Sequence, residues 1–187
     1  MPRQILSKEI IIQISINLIE ANKDNSFANI ARNLGTQSQA LYNYFSNQID
    51  LNYAIVAWTI KQITQHLQQK LFGQTKMDAI IAFAMELRKL ALDHFLLAQF
   101  ILKMPRTYKY PNVKLAFADL KALLDCLIAT EFTDRKKQIL ASRCGRDLLI
   151  GDIINVGTGW FADKSIPTES GFRTLLKNNL ENIKNAN

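Results

Sequence analysis

Apolar positions recur at helical spacing from the start of the chain. Ile10, Ile14 and Leu18 fall four residues apart with Ile11 beside them, and Ser7 stands where an N-cap belongs. The pattern predicts a helix running to about Ala21. The same stretch also alternates as Ile12, Ile14, Ile16 and Leu18, a strand pattern that β-branched isoleucine favours, and only the helical segments after it decide between the two. Asn22 to Asn25 is a polar turn. Ser26 suits the cap of a short helix over Phe27–Asn33, with Phe27, Ile30, Ala31 and Leu34 available for burial. Gly35 fits a left-handed stop. Thr36 to Gln39 open a second short helix, with Ala40, Leu41 and Tyr44 or Phe45 on its apolar side. Gln37, Gln39 and Asn43 lie on its other side.

Asn47 can cap a long helix to about Leu71, with Asp50 placed in its first turn, where the helix dipole favours an acid. Gly73 closes it. Further helical stretches come at Lys76 to about Asp93, His94–Met104, Asn112–Thr130, Asp134 to about Val156, and Glu169–Lys184. Pro105 and Pro111 bracket a basic loop, Thr133 and Thr168 suit the caps of the last two stretches, and Gly157, Gly159 and Pro167 separate those two. The expected fold is all-α, about nine helices: an N-terminal three-helix head with a helix-turn-helix, then a C-terminal helical bundle. We place the head at residues 1–50, a linking helix at 47–71 and the body at 72–187.

Composition agrees. Of 187 residues, 48% are hydrophobic and 21% charged, with only 7 Gly and 4 Pro, which favours a sizeable helical core over a turn-rich sandwich. Cys126 and Cys144 form no CxxC pair and read as free thiols of a reducing compartment. No apolar run approaches the roughly 18–20 residues that span a bilayer. The run Ile10–Ile19 mimics a signal-peptide core, but Gln13, Ser15 and Asn17 interrupt it. We therefore expect a cytoplasmic protein without a membrane partner. The net charge of +7 invites a nucleic-acid reading, yet within residues 1–50 Arg3, Lys8, Lys23 and Arg32 are matched by Glu9, Glu20, Asp24 and Asp50. The head is formally neutral, so global charge does not point to DNA.

The paired short helices do. The second must be short, held from behind and polar in front, because an α-helix fits the major groove and its N-terminal side chains reach base edges. Glutamine and asparagine amides can both donate to and accept from adenine. The string Ser26-Phe27-Ala28-Asn29-Ile30-Ala31-Arg32-Asn33-Leu34-Gly35, then Leu41-Tyr42-Asn43-Tyr44-Phe45, then Asp50-Leu51, resembles the signature of the tetracycline-repressor-like (TetR/AcrR) family. The resemblance covers about residues 7 to 65. It implies a double-stranded DNA operator contacted by Ser26, Arg32, Thr36, Gln37, Ser38, Gln39, Tyr42, Asn43, Tyr44 and Gln48. Tyr42 matches the family's phosphate-contacting tyrosine, Gln48 stands where the family usually has lysine, and Thr36 replaces a small apolar residue. It also implies a homodimer, for which Ile150, Ile154, Phe172, Leu176, Leu180 and Ile183 are the candidate contacts.

An unknown small-molecule effector would bind in the body, with Trp58, Phe83, Leu87, Phe95 and Trp160 as candidate lining residues and core packing as the plainer alternative. The cluster Lys103, Arg106, Lys109 and Lys114 reads as a solvated face or an attractor of an anionic effector. Gly157-Thr158-Gly159-Trp160 mimics a dinucleotide fingerprint but lacks the βαβ frame that motif needs. His66 and His94 have no helical Glu-x-x-His or His-x-x-x-His partner, so we expect no metal and no cofactor. No nucleophile–base pair suggests an enzyme. The expected function is a sequence-specific, ligand-responsive transcriptional regulator, in the first instance a repressor. The rival is a helical small-molecule-binding or scaffold protein that has lost DNA binding.

Overall fold

The structure is a computed structural model that describes residues 6–107, 109–161 and 165–186. Those residues form nine α-helices: α1 Lys8–Glu20, α2 Phe27–Leu34, α3 Ser38–Leu41, α4 Gln48–Lys70, α5 Lys76–Asp93, α6 Phe95–Lys103, α7 Pro111–Ala129, α8 Arg135–Gly157 and α9 Thr168–Asn185. The strand alternative for the first segment fails. Ser7 Oγ accepts from the Ile10 N–H at 3.3 Å, and the buried side chains Ile11, Ile12, Ser15, Ile16, Leu18 and Ile19 recur at helical spacing.

Two caps differ from expectation. Asp134, not Thr133, caps α8, its carboxylate accepting from the Lys137 N–H at 2.9 Å. Thr168 is the first residue of α9 rather than its cap; Pro167 precedes it with extended ψ, and the Thr168 hydroxyl accepts from Arg88 instead. At α8, where Thr133 and Asp134 are adjacent, spacing alone leaves the cap ambiguous by one residue.

The chain divides into two compact units that do not follow chain order. The first comprises residues 1–61 and 94–117, the second 62–93 and 118–187. In the first unit α6 packs on α1, and His94 at the start of α6 pairs with Glu20 at the end of α1. Tyr53 of α4 stacks on Tyr110, ring centroids 4.0 Å apart, and its hydroxyl donates to the Pro105 carbonyl at 2.8 Å. The segment after residue 93 therefore belongs with the helices of the head, although it comes more than thirty residues after them in sequence.

The second unit is built on α5, α8 and α9, which pack on one another. Phe172, Leu176 and Leu180 supply the buried stripe of α9, the two leucines being fully buried. Burying each leucine contributes about 2 kcal/mol. A polar bolt crosses the same helices. Arg88 of α5, itself 6% exposed, donates through Nε to Asp152 Oδ2 of α8 at 2.6 Å and through a terminal nitrogen to Thr168 Oγ1 at 3.1 Å. Its guanidinium also lies 5.7 Å from the centre of the Phe172 ring.

Removing one partner of a buried pair leaves the other charge uncompensated. Asp152→Ala should therefore destabilise the protein by about 3–5 kcal/mol in urea unfolding. The double replacement Arg88→Met with Asp152→Leu should recover most of that loss. A double variant as unstable as the single would show that the unpaired charge is not the cause.

Candidate nucleic-acid interface

The site begins with a turn. Gly35 ends α2 in the left-handed region at φ 63°, which a side chain would strain. The Gly35 N–H donates to the Arg32 carbonyl and the Thr36 N–H to the Ala31 carbonyl, so the end of α2 is closed before α3 starts. α3 has four residues, continued by a turn in which the N–H groups of Tyr44 and Phe45 both donate to the Leu41 carbonyl. A helix this short does not hold itself. Leu41, fully buried, and Phe45, 3% exposed, anchor its back, and Phe27, Ile30 and Ala31 form the buried side of α2.

With the back fixed, the front is solvent-facing. Thr36, Gln37, Gln39, Tyr42 and Asn43 are exposed. The amides of Gln37, Gln39 and Asn43 make no hydrogen bond within the described residues, so their donors and acceptors are available. Tyr42 is 51% exposed, and its ring meets Phe27 edge-on at 4.9 Å, which fixes its direction without using its hydroxyl. Ser38 is half-buried at the start of α3. Arg32 is exposed at the end of α2 and donates to Asn29 Oδ1 at 2.6 Å.

Other candidates are occupied inside the fold. The Tyr44 hydroxyl donates to the Leu6 carbonyl at 2.7 Å, pinning the lead-in to α1. The Gln48 amide donates to the Asn25 carbonyl at 3.0 Å and to Asn52 Oδ1 at 3.1 Å, and Asn25 donates to the same Asn52 oxygen. Gln48 thus ties the start of α4 to the loop before α2. Ser26 precedes α2 with extended backbone but makes no side-chain cap; its N–H donates to Asp24 Oδ1 at 3.2 Å.

The candidate dimer stripe requires a correction. Phe172, Leu176 and Leu180 form core within their own unit and have no surface to offer a partner. Of that set, Ile150 is exposed, and Ile154 and Ile183 are half-buried. Leu175, one residue along from the buried stripe, is 57% exposed. Ile139, Leu140 and Ile150 are exposed on α8.

The candidate pocket residues are divided between the two units. Trp58 and Phe95 belong to the first unit and are half-buried; Phe83 and Leu87 belong to the second and are buried and half-buried. Of these five, Trp160 lines the cavity described next. That cavity, about 490 Å³, is walled by Trp160, Phe161, Ile166 and Leu175, with Asp152 and Thr168 as its polar groups. A second cavity of about 500 Å³ lies against α5 and α9 and carries mixed charge, including Lys70, Glu86, Lys89 and Arg173. The Gly157–Trp160 segment is the C-terminal stop of α8, with Gly159 at φ 78° and the Trp160 N–H donating to the Asn155 carbonyl. His66 pairs with Glu86, and the described residues contain no group of three metal-ligand side chains.

The basic cluster sits elsewhere than its chain position suggested. Lys103, Arg106, Lys109 and Lys114 all lie in segment 94–117, which carries no carboxylate and belongs to the unit holding α3. With Lys61, they give that unit +5 of the chain's +7. The Arg106 guanidinium lies 3.5 Å from the centre of the Phe117 ring. Burial lowers its pKa from the usual guanidinium value, which still leaves it charged near neutrality. On α8, burial and then Asp147 raise the Cys144 thiol above its ordinary pKa, so the thiolate is scarce there.

No family profile matches this chain, and no curated protein sequence does. Among solved structures the fold is similar to the transcriptional regulator FadR from Bacillus subtilis, whose structure was determined in complex with stearoyl-CoA. The two share 14% identity over 93% of this chain and 98% of that one, with a TM-score of 0.72. At that identity the likeness shows the fold alone: an all-helical architecture among the described residues, similar to that of FadR.

Proposed function

We propose that this protein is a DNA-binding transcriptional regulator of the tetracycline-repressor-like kind, with α3 as its recognition helix. One observation carries the reading: a four-residue helix, anchored by Leu41 and Phe45, presents the unbonded amides of Gln37, Gln39 and Asn43 beside an exposed Tyr42. Amides held this way can read base edges, and the Tyr42 hydroxyl can reach a phosphate. The likeness to FadR supports the reading at the level of fold.

The effector site is placed in the second unit, at the cavity beside Trp160. Its volume suits a small molecule, and its walls suit an apolar one. Because FadR was crystallised with stearoyl-CoA, a fatty-acyl thioester is the first effector class to test. Effector binding would act by population shift, favouring a spacing of the two heads that no longer matches successive major grooves about 34–36 Å apart.

That spacing needs a homodimer. We place its interface on the exposed apolar residues of α8 and α9, among them Leu140, Ile150 and Leu175, in place of the buried stripe. Leu140→Glu with Leu175→Glu should convert a dimer to a monomer in multi-angle light scattering while circular dichroism stays unchanged. A folded variant that remains dimeric would reject this face.

DNA recognition is tested by fluorescence anisotropy of the full-length protein on labelled duplex from upstream of its own gene. Gln39→Ala should weaken binding by about 1–3 kcal/mol, the range of one good base contact. Tyr44→Phe, which alters only an internal hydrogen bond, should leave affinity unchanged. Equal affinities for wild type and Gln39→Ala, together with loss in Tyr44→Phe, would reverse the assignment of inward and outward residues.

A further inference from the structure

We propose that segment 103–114, the end of α6 and the loop into α7, is a second DNA-contacting surface that binds backbone phosphates for the unit carrying α3. The inference rests on the regulator reading and adds a site that the helix-turn-helix resemblance does not contain.

The first ground is charge. Residues 1–50 are neutral, so the helix-turn-helix brings no electrostatic surplus of its own. Ion pairs to phosphate supply essentially all of a protein's non-specific DNA affinity. Within the same compact unit, Lys103, Arg106, Lys109 and Lys114 form a run of four cations in a segment with no Asp or Glu. All four are exposed, and Lys103, Arg106 and Lys109 enter no ion pair among the described residues.

The second ground is order. The loop is fixed to α4 by the Tyr53–Tyr110 stack and by the Tyr53 hydroxyl on the Pro105 carbonyl. Tyr53 is five residues on from Gln48, so its backbone lies about 8 Å along the axis from the first residue of α4, at about 1.5 Å per residue. That end of α4 is tied through Gln48 and Asn52 to Asn25, just ahead of α2. The cations are therefore carried on the framework that holds the helix-turn-helix. Arg106, its guanidinium held 3.5 Å from the centre of the Phe117 ring, gives up less conformational freedom on meeting a phosphate than an untethered side chain would.

The third ground is shape. A small anion would want a concave site. None of the four cations lines either of the two cavities described above, and the four exposed side chains are spread over residues 103–114 rather than gathered in one of them. An extended row of exposed cations complements an extended row of phosphates, and duplex DNA presents one charge about every 1.7 Å of axis.

The experiment measures binding of the full-length protein to two labelled duplexes, the upstream sequence and a scrambled one of equal length, across a range of KCl concentrations. Lys103→Gln/Arg106→Gln/Lys109→Gln should make the slope of log affinity against log salt shallower by about 1 for each phosphate ion pair removed, and weaken both duplexes alike. Lys103→Gln/Lys109→Gln, which keeps the Arg106–Phe117 stack, should give an intermediate slope and guards against loss of fold. Gln39→Ala should lower only the preference for the upstream duplex. If wild type binds with a clear salt slope and the folded triple variant keeps it, this inference fails while the regulator reading stands. If wild type binds neither duplex at low salt, both fail. If millimolar pyrophosphate raises the melting midpoint of wild type but not of the triple variant, and the slope is unchanged, the segment is a small-anion site and the DNA assignment is overturned.

Discussion

The proposed DNA contact depends on holding a helix too short to hold itself. Four residues of α3 close scarcely one turn, far below the length at which helices persist in water. The hydrophobic anchorage of Leu41 and Phe45 replaces what propagation cannot supply, and the left-handed Gly35 sets the direction in which the chain enters. Once the apolar side is used up in this way, the polar side has nowhere to face but solvent. The outward display of Gln37, Gln39, Tyr42 and Asn43 is the other face of the same packing constraint, not a separate feature.

Locality of that kind decides what was legible in the sequence. Residues 26 to 51 solve their folding problem over short range: cap, stop, anchor and next cap all lie within one or two turns of one another. Periodicity therefore located α2 to α4 and most later helices; for Ile10–Ile19 it left helix and strand both open, and the helical segments after it decided for α1. It placed the apolar face of α1 only in part: Ile11 and Leu18 are buried as expected, but Ile10 and Ile14 are half-buried, and Ile12, Ser15, Ile16 and Ile19 complete the buried side. It could not tell what covers an apolar face. Phe172, Leu176 and Leu180 form a stripe that suits a partner or a core equally well, and only the packing of α5, α8 and α9 decides for core. For Tyr44 and Gln48 the difficulty runs the other way. A polar side chain beside a recognition helix can point in or out, and the carbonyls that receive these two, at Leu6 and Asn25, lie 38 and 23 residues away.

Long-range polar partners were the least legible of all. Arg88 reads as one more cation on an amphipathic helix, yet it is buried against Asp152, 64 residues on, and Thr168, 80 residues on. Nothing in local patterning marks it. Its position has a consequence for the proposed effector site, because Asp152, Thr168 and Phe172 also line the cavity beside Trp160. The polar groups of that cavity are already engaged by Arg88, so a charged ligand would have to compete with a short ion pair, whereas an apolar one need only cover the surrounding side chains. That favours an effector whose buried portion is hydrocarbon.

Charge shows most clearly how chain order misleads. Counted along the sequence, the head is neutral and the basic residues come after it. Counted in space, the unit that carries α3 holds most of the surplus, because α6 folds back onto α1 and brings a carboxylate-free segment with it. Electrostatic reach at physiological ionic strength is about 8–10 Å, so a polyanion senses the charges near it in space rather than those that share a stretch of sequence. A recognition helix made only of amides and hydroxyls can discriminate bases while binding too weakly to find them. Cations on the same framework supply the sequence-independent attraction that such a helix lacks, and the two tasks are then divided between separate parts of one unit.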